Sequence, residues 1–241
     1  MLELFFYMNP VLIAAAVIPA ILLLIYVYKA DKLEKESPRL LFSLVVYGVL
    51  STFLAQLGEQ VGDWILTALE PSVVLYNILF FFGVVAFAEE GFKYLVLKLR
   101  TWKSPEFDCQ FDGVVYAVFV ALGFALWENI GYVLSYGFGT ALIRAVTAVP
   151  GHACFGVFMG VMYGLAKRYA LAGEERKSKM YRRLAVILPA LLHGTYDFIA
   201  TRESAASFII FIIFVIIMFL ISYRLVGAMS KNDRRMKPHF L

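Results

Sequence analysis

Four stretches of this chain place ionisable side chains where their surroundings are otherwise apolar: Ala88-Glu89-Glu90-Gly91-Phe92-Lys93, Phe124-Ala-Leu-Trp-Glu128-Asn129, Gly151-His152 and His193-Gly-Thr-Tyr-Asp197. Two of the three histidines lie in these stretches; the third is His239, near the C-terminus. Such side chains supply the ingredients of hydrolysis. A carboxylate of the Glu89/Glu90 pair can take a proton from water. His152, His193 and Glu128 can hold Zn²⁺, which favours imidazole nitrogen and carboxylate oxygen with one position open, or can stabilise a developing oxyanion without metal.

Spacing refines these roles. Glu89 and Lys93 are four residues apart and share a helix face, so Lys93 can neutralise one carboxylate while Glu90, turned about 100° away, reaches another neighbour. His193 and Asp197 have the same spacing, which lets the carboxylate orient the imidazole. His152, Gly156, Gly160 and Gly164 recur at four-residue intervals, a small-residue stripe along which another helix can approach closely. His152 should then point into a bundle. Taken singly, a buried histidine is usually a packing residue, a Glu one turn before a Lys is usually an ion pair, and Asn129 can simply bridge helices through its amide. The set weighs differently, because it combines ligands and a base.

The elements that position them follow from composition. Of 241 residues, 61% are hydrophobic and only 17% charged, against about 25% charged in soluble domains. A spanning helix needs about 20 mostly apolar residues. Seven segments approach that length: Val11–Tyr28, Leu40–Leu57, Ser72–Leu99, Gly113–Ser135, Ala141–Ala166, Leu184–Ala200 and Ser207–Val226. The expected fold is all-α, a polytopic transmembrane helical bundle of about seven spans, with 1–241 a single integral membrane domain and 72–200 its catalytic helical core. At about 1.5 Å rise per residue, His152 and His193 fall near mid-bilayer, the Glu89/Glu90 pair slightly to one side, and Glu128 and Asp197 on the order of 7 Å to the other. Charges at such depth normally face a protein interior or a water-filled cavity. Ser207–Val226 has no ionisable residue through Ser222 and reads as a peripheral, lipid-facing helix.

Formal net charge is +4. In a membrane protein this excess marks cytoplasmic loops rather than nucleic-acid binding. Basic residues crowd the connections 29–39, 98–112 and 167–183 and the tail, whereas 58–71 and 136–140 have none. The positive-inside rule then predicts a multi-pass protein of the cell membrane with the N-terminus outside and the C-terminus cytoplasmic. Met1-Leu2-Glu3-Leu4 lacks a basic leader, so the first segment reads as a retained helix. The basic stretch 174–183 reads as a topology-setting loop drawn to anionic lipid, and a partner-docking surface is the alternative. Cys109 and Cys154 suggest neither a disulfide nor a thiolate metal site.

Together the motifs resemble the PrsW family of intramembrane proteases, within the wider group that includes the CAAX prenyl endopeptidases and Abi-type membrane proteins. The resemblance rests on Glu89-Glu90-x-x-Lys93, Phe124-x-x-x-Glu128-Asn129, His152 followed by glycines, and His193-x-x-x-Asp197, in that order. It implies an endopeptidase that cuts a membrane-associated protein, an anti-sigma factor in the family's namesake. It also implies Glu89, Glu90, Glu128, His152 and His193 as catalytic residues, supported by Lys93, Asn129 and Asp197. The group is divided between zinc and metal-free, glutamate-activated water. The prenyl endopeptidases carry Glu-Glu-x-x-x-Arg and Phe-x-x-x-His; Lys93 comes one residue early and Glu128 stands at the histidine position, which argues against a prenyl-protein substrate. The competing readings are a proton-coupled transporter or channel using the same residues as a relay, whose paired broken helices are not visible, a CAAX-type prenyl-protein endopeptidase, and a non-catalytic membrane scaffold.

Overall fold

A computed structural model describes residues 10–236; Met1–Leu4 and His239 lie outside the described residues. The described chain is helical. In order come α1 (Pro10–Ala30), α2 (Pro38–Ala68), α3 (Val73–Thr101), α4 (Asp112–Tyr136), α5 (Phe138–Val146), α6 (Ala148–Leu171), α7 (Glu175–Ala200) and α8 (Ala205–Lys231). Three starts carry serine caps. Ser37, Ser72 and Ser204 accept from the backbone N–H of Leu40, Leu75 and Ser207, satisfying donors that the first helical turn leaves free.

Six stretches among the described residues are long and apolar enough to cross a membrane: α1, α2, α3, α4, the α5–α6 unit and α8. The seventh expected span, Leu184–Ala200, is the second half of α7. Charged residues from Glu175 to Arg183, and His193 and Asp197 farther on, lower the apolar character of that helix. The supposed loop 174–183 is therefore mostly the first turns of α7. Similarly, 58–71 is not a loop, because α2 runs on to Ala68 and carries Glu59 inside the bundle. The expected span Ala141–Ala166 is broken at Thr147 (φ −122°, ψ −73°), where α5 ends and α6 begins.

At the centre stands α4, buried almost all round from Asp112 to Ala125, as an apolar helix without a polar face must be. It packs chiefly on α6 and α2. The glycine stripe makes the α4–α6 approach possible: a Cβ at Gly156 would lie 2.9 Å from Ala121 Cβ, and one at Gly160 would overlap the Val114 Cα. At the periphery α8 leaves Ile209, Ile213, Ile216 and Leu220 exposed, as a lipid-facing helix does. Within α3, residues Leu79–Val85 wind as a π-helix between Val73–Ile78 and Ala86–Thr101.

A cap closes the end of the bundle where α1, α3 and α8 finish. The tail after α8 lies along the connection before α4. Gln110 N–H donates to Arg234 O (3.4 Å), Met236 N–H to Asp108 O (2.6 Å) and Phe111 N–H to Asp233 Oδ1 (2.9 Å), and Arg235 pairs with Glu34 and Asp108. Cys109 and Cys154 are both buried free thiols.

Candidate active site

Glu89, Glu90 and Lys93 project from the second half of α3, Glu128 and Asn129 from α4, His152 from α6, and His193 and Asp197 from α7. They meet. Lys93 Nζ donates to Glu89 Oε2 (3.0 Å), Glu90 Oε1 (2.8 Å) and His152 Nδ1 (3.2 Å). An ammonium has three hydrogens and no acceptor, so these bonds use it completely. Lys93 thus serves both glutamates rather than one, because i,i+3 and i,i+4 positions both lie within its reach. It also sits 3.8 Å over the Phe124 ring, a cation–π contact inside the bundle.

His152 accepts at Nδ1, so Nε2 carries the proton and donates to Glu128 Oε2 at 2.9 Å. Glu128 in turn receives Arg144 Nη2 at 2.8 Å, while Arg144 Nε donates to Asn129 Oδ1 (2.9 Å) and Asn129 Nδ2 donates to Ala16 O (2.8 Å). The asparagine bridges α1, α4 and α5. His193 lies between two carboxylates, with Nδ1 3.1 Å from Glu90 Oε1 and Nε2 3.3 Å from Asp197 Oδ2. A doubly protonated ring donates to both. The imidazoles of His152 and His193 are 5.3 Å apart between centroids, and Phe155 stacks on His193 at 4.7 Å.

All of the residues singled out from sequence therefore fall in one connected polar network. They differ in what they face. Glu59, Glu89, Glu128, His152, His193 and Asp197 border a cavity of about 360 Å³, within the roughly 300–1,000 Å³ of small-ligand pockets. The rest of its wall includes Phe80 and Phe81 of the π-helical turn, Tyr132, Phe155 and Tyr196, together with Arg144. Glu90 and Lys93 do not reach it. Glu90 is 0% exposed, and its Oε2 has no hydrogen-bond partner among the described residues.

One donor atom from each of Glu89, His152 and His193 lies within 4.8 Å of the other two. Two imidazoles and a carboxylate suit a catalytic zinc with an open fourth position, so the donor types fit a divalent cation, which would displace one present partner of each ring and take a proton from His193. Glu128 is not in that trio, since its carboxylate is taken up by Arg144 and His152. Arg144 and Glu59 escaped sequence reasoning. Arg144 was legible as an ionisable residue inside the Ala141–Ala166 span, whereas Glu59 was hidden by the early end assigned to the second span.

A sequence model described as "PrsW family intramembrane metalloprotease" matches residues 36–221. "Protease PrsW" of Oceanobacillus iheyensis is 34% identical over 219 residues, covering 90% of this chain and 95% of that protein. Its namesake in Bacillus subtilis is 33% identical over 193 residues, covering 80% and 84%. In Geobacillus kaustophilus the identity is 36% over 188 residues, covering 78% and 79%. No solved structure matches.

Proposed function

Since the chain belongs to the PrsW family of intramembrane metalloproteases, we propose that it hydrolyses a peptide bond of a membrane-associated protein inside the cavity bordered by Glu89, His152 and His193. One observation carries the assignment of roles: Glu89 faces the cavity, whereas Glu90 is turned inward onto Lys93 and His193. Glu89 is then the general base. Its Oε2 holds the Lys93 bond, leaving Oε1 to accept the proton of a water as the water oxygen attacks the carbonyl carbon. The same carboxyl group returns that proton to the departing amine. Glu90 positions, keeping Lys93 and His193 in place.

That base role belongs to the cation-free site. Where a divalent cation is bound, Glu89, His152 and His193 would hold it, each ring by a nitrogen released from its present partner, and the cation would polarise the carbonyl and acidify the water; zinc is the metal that this donor set favours. With no cation bound, His193 would serve the developing oxyanion through its Nε2–H, which would turn to the substrate from Asp197 (3.3 Å) while Nδ1 stays on Glu90. Glu128, fixed by Arg144, holds His152 by its Nε2–H. The proposed catalytic core is 72–200 together with Glu59 of α2. By the positive-inside argument the cap is cytoplasmic, and the cavity, bordered by Ala200 and Thr201 at the opposite end of α7, opens toward the outer face. A substrate resembling a membrane-anchored anti-sigma factor would present its scissile bond from that side.

The test is co-expression with an epitope-tagged single-span substrate. Wild type should release a fragment, and Glu89→Gln and His193→Ala should not. Full cleavage by both variants would overturn the assignment, and ion flux in proteoliposomes without proteolysis would favour a relay.

A further inference from the structure

The cap contains a second concentration of metal-ligating groups that the peptidase site does not use. One ligand atom from each of Cys109, Asp112 and Asp233 lies within 4.8 Å of the other two. The three come from the connection before α4, from the first turn of α4 and from the tail after α8. Asp31, in the connection between α1 and α2, borders this group closely enough for its charge to bear on Asp112. It is 1% exposed, and neither of its carboxylate oxygens has a hydrogen-bond partner among the described residues. Asp233 Oδ2 is likewise buried and unpartnered.

Two cations of the cap bond to groups other than the cluster's ligand atoms, although the charge of Lys35 still bears on Asp31. Lys35 donates to the backbone oxygens of Tyr28 and Asp31, and Arg235 pairs with Glu34 and Asp108. No ion pair among the described residues includes Asp31, Asp112 or Asp233. The bonds that are made favour anions. Asp112 Oδ2 accepts from the N–H groups of Cys109 (2.7 Å) and Asp108 (3.1 Å), and Asp233 Oδ1 from that of Phe111 (2.9 Å). Backbone donors of this kind suit an ionised carboxylate, but burial outweighs them and pushes the Asp31 and Asp233 carboxyls up toward the neutral form, so the ionised cluster needs a cation to offset its desolvation.

We propose that Cys109, Asp112, Asp233 and Asp31 form a binding site for a sulfur-tolerant divalent cation, Zn²⁺ in the first instance, which fastens the C-terminal tail to the two loops of the cap. A thiolate with carboxylate oxygens is a zinc donor set. The thiol proton passes to solvent as the metal binds. The site is separate from the peptidase cavity and requires nothing of its chemistry.

The experiment uses the full chain in detergent, stripped with chelator, in a Cys154→Ala background so that Cys109 is the one thiol. Zn²⁺ should slow maleimide labelling of Cys109 at least tenfold and raise the melting temperature, and both effects should vanish in the Asp31→Asn/Asp233→Asn variant. A His152→Ala/His193→Ala chain should retain one equivalent of zinc that the Asn pair removes. Labelling of the parent chain unaffected by Zn²⁺ overturns the site. So does an Asn pair that melts higher than its parent in both chelator and zinc, since the cluster would then be protonated carboxyl groups rather than a cation site.

Discussion

Lys93 Nζ donates to Nδ1 of His152 across 3.2 Å, from α3 to α6, and thereby fixes which imidazole nitrogen carries the proton that Glu128 accepts. Replacing Lys93 by Met removes the only ammonium within bonding distance of Glu89, Glu90 and His152 among the described residues. Breaking a buried pair by removing one partner costs about 3–5 kcal/mol. The Lys93→Met protein should melt lower and lose proteolysis, measured by thermal denaturation in detergent and by substrate cleavage.

The two adjacent glutamates should separate experimentally. Glu89→Gln should lower turnover by about 10²–10⁴, the usual contribution of a general base, with a small change in melting temperature. Glu90→Gln should lower the melting temperature more, because Lys93 and His193 both lose a buried anionic partner. Equal melting temperatures with equal residual activities would reverse the assignment.

Arg144 borders the cavity and holds Glu128 and Asn129 in place. Outer partners of site residues typically matter by about 10–100-fold. An Arg144→Ala chain should lose activity on that order, while Arg144→Lys, which keeps the charge but not both bonds, should fall between. Cleavage rates normalised to membrane-extracted protein decide this.

Packing predicts a contrast between two glycines. Gly160→Ala would drive a Cβ into the α4 backbone at Val114, whereas nothing lies within 4 Å of a Cβ at Gly91. Overpacking costs about 1–3 kcal/mol, so Gly160→Ala should reduce melting temperature and folded yield. Gly91→Ala should be neutral or raise stability by about 0.5–1 kcal/mol.

In the cap, burial pushes the Glu36 carboxyl up to about 7, with Glu106 and Asp31 adding to the rise against the lowering bond from Tyr116. A carboxyl raised on folding binds its proton more tightly in the native state, so its contribution is present at low pH and lost as pH climbs from about 4.5 to 7. In chelator, the wild-type melting temperature should decline over that window, and Glu36→Gln should flatten the decline.

The side chains of the site were legible because charge is rare in an apolar sequence and each such residue there needs a reason. Glu89, Glu128, His152 and His193 could be placed at matching depth on four helices from rise per residue alone. What could not be read was helix rotation, which decides that Glu89 and not Glu90 faces the cavity. Glu59 was lost because a polar face inside the bundle resembles a loop when hydropathy is averaged. The cap was invisible for another reason: the pairing of Cys109 with Arg235 joins segments over a hundred residues apart, and no local pattern announces it.

The π-helical turn at Leu79–Val85 gives α3 a residue of slack. A π-turn holds about one residue more than an α-turn of the same length, so deleting one residue within 79–85 could be absorbed by rewinding that turn as α-helix. The same deletion downstream, between Ala86 and Ala88, would leave the surplus in place and swing Glu89 about 100° around the axis, away from the histidines. Tolerance to chain shortening in α3 is thus concentrated beside the proposed active-site cavity, in the one stretch of that helix where length and phase can be traded.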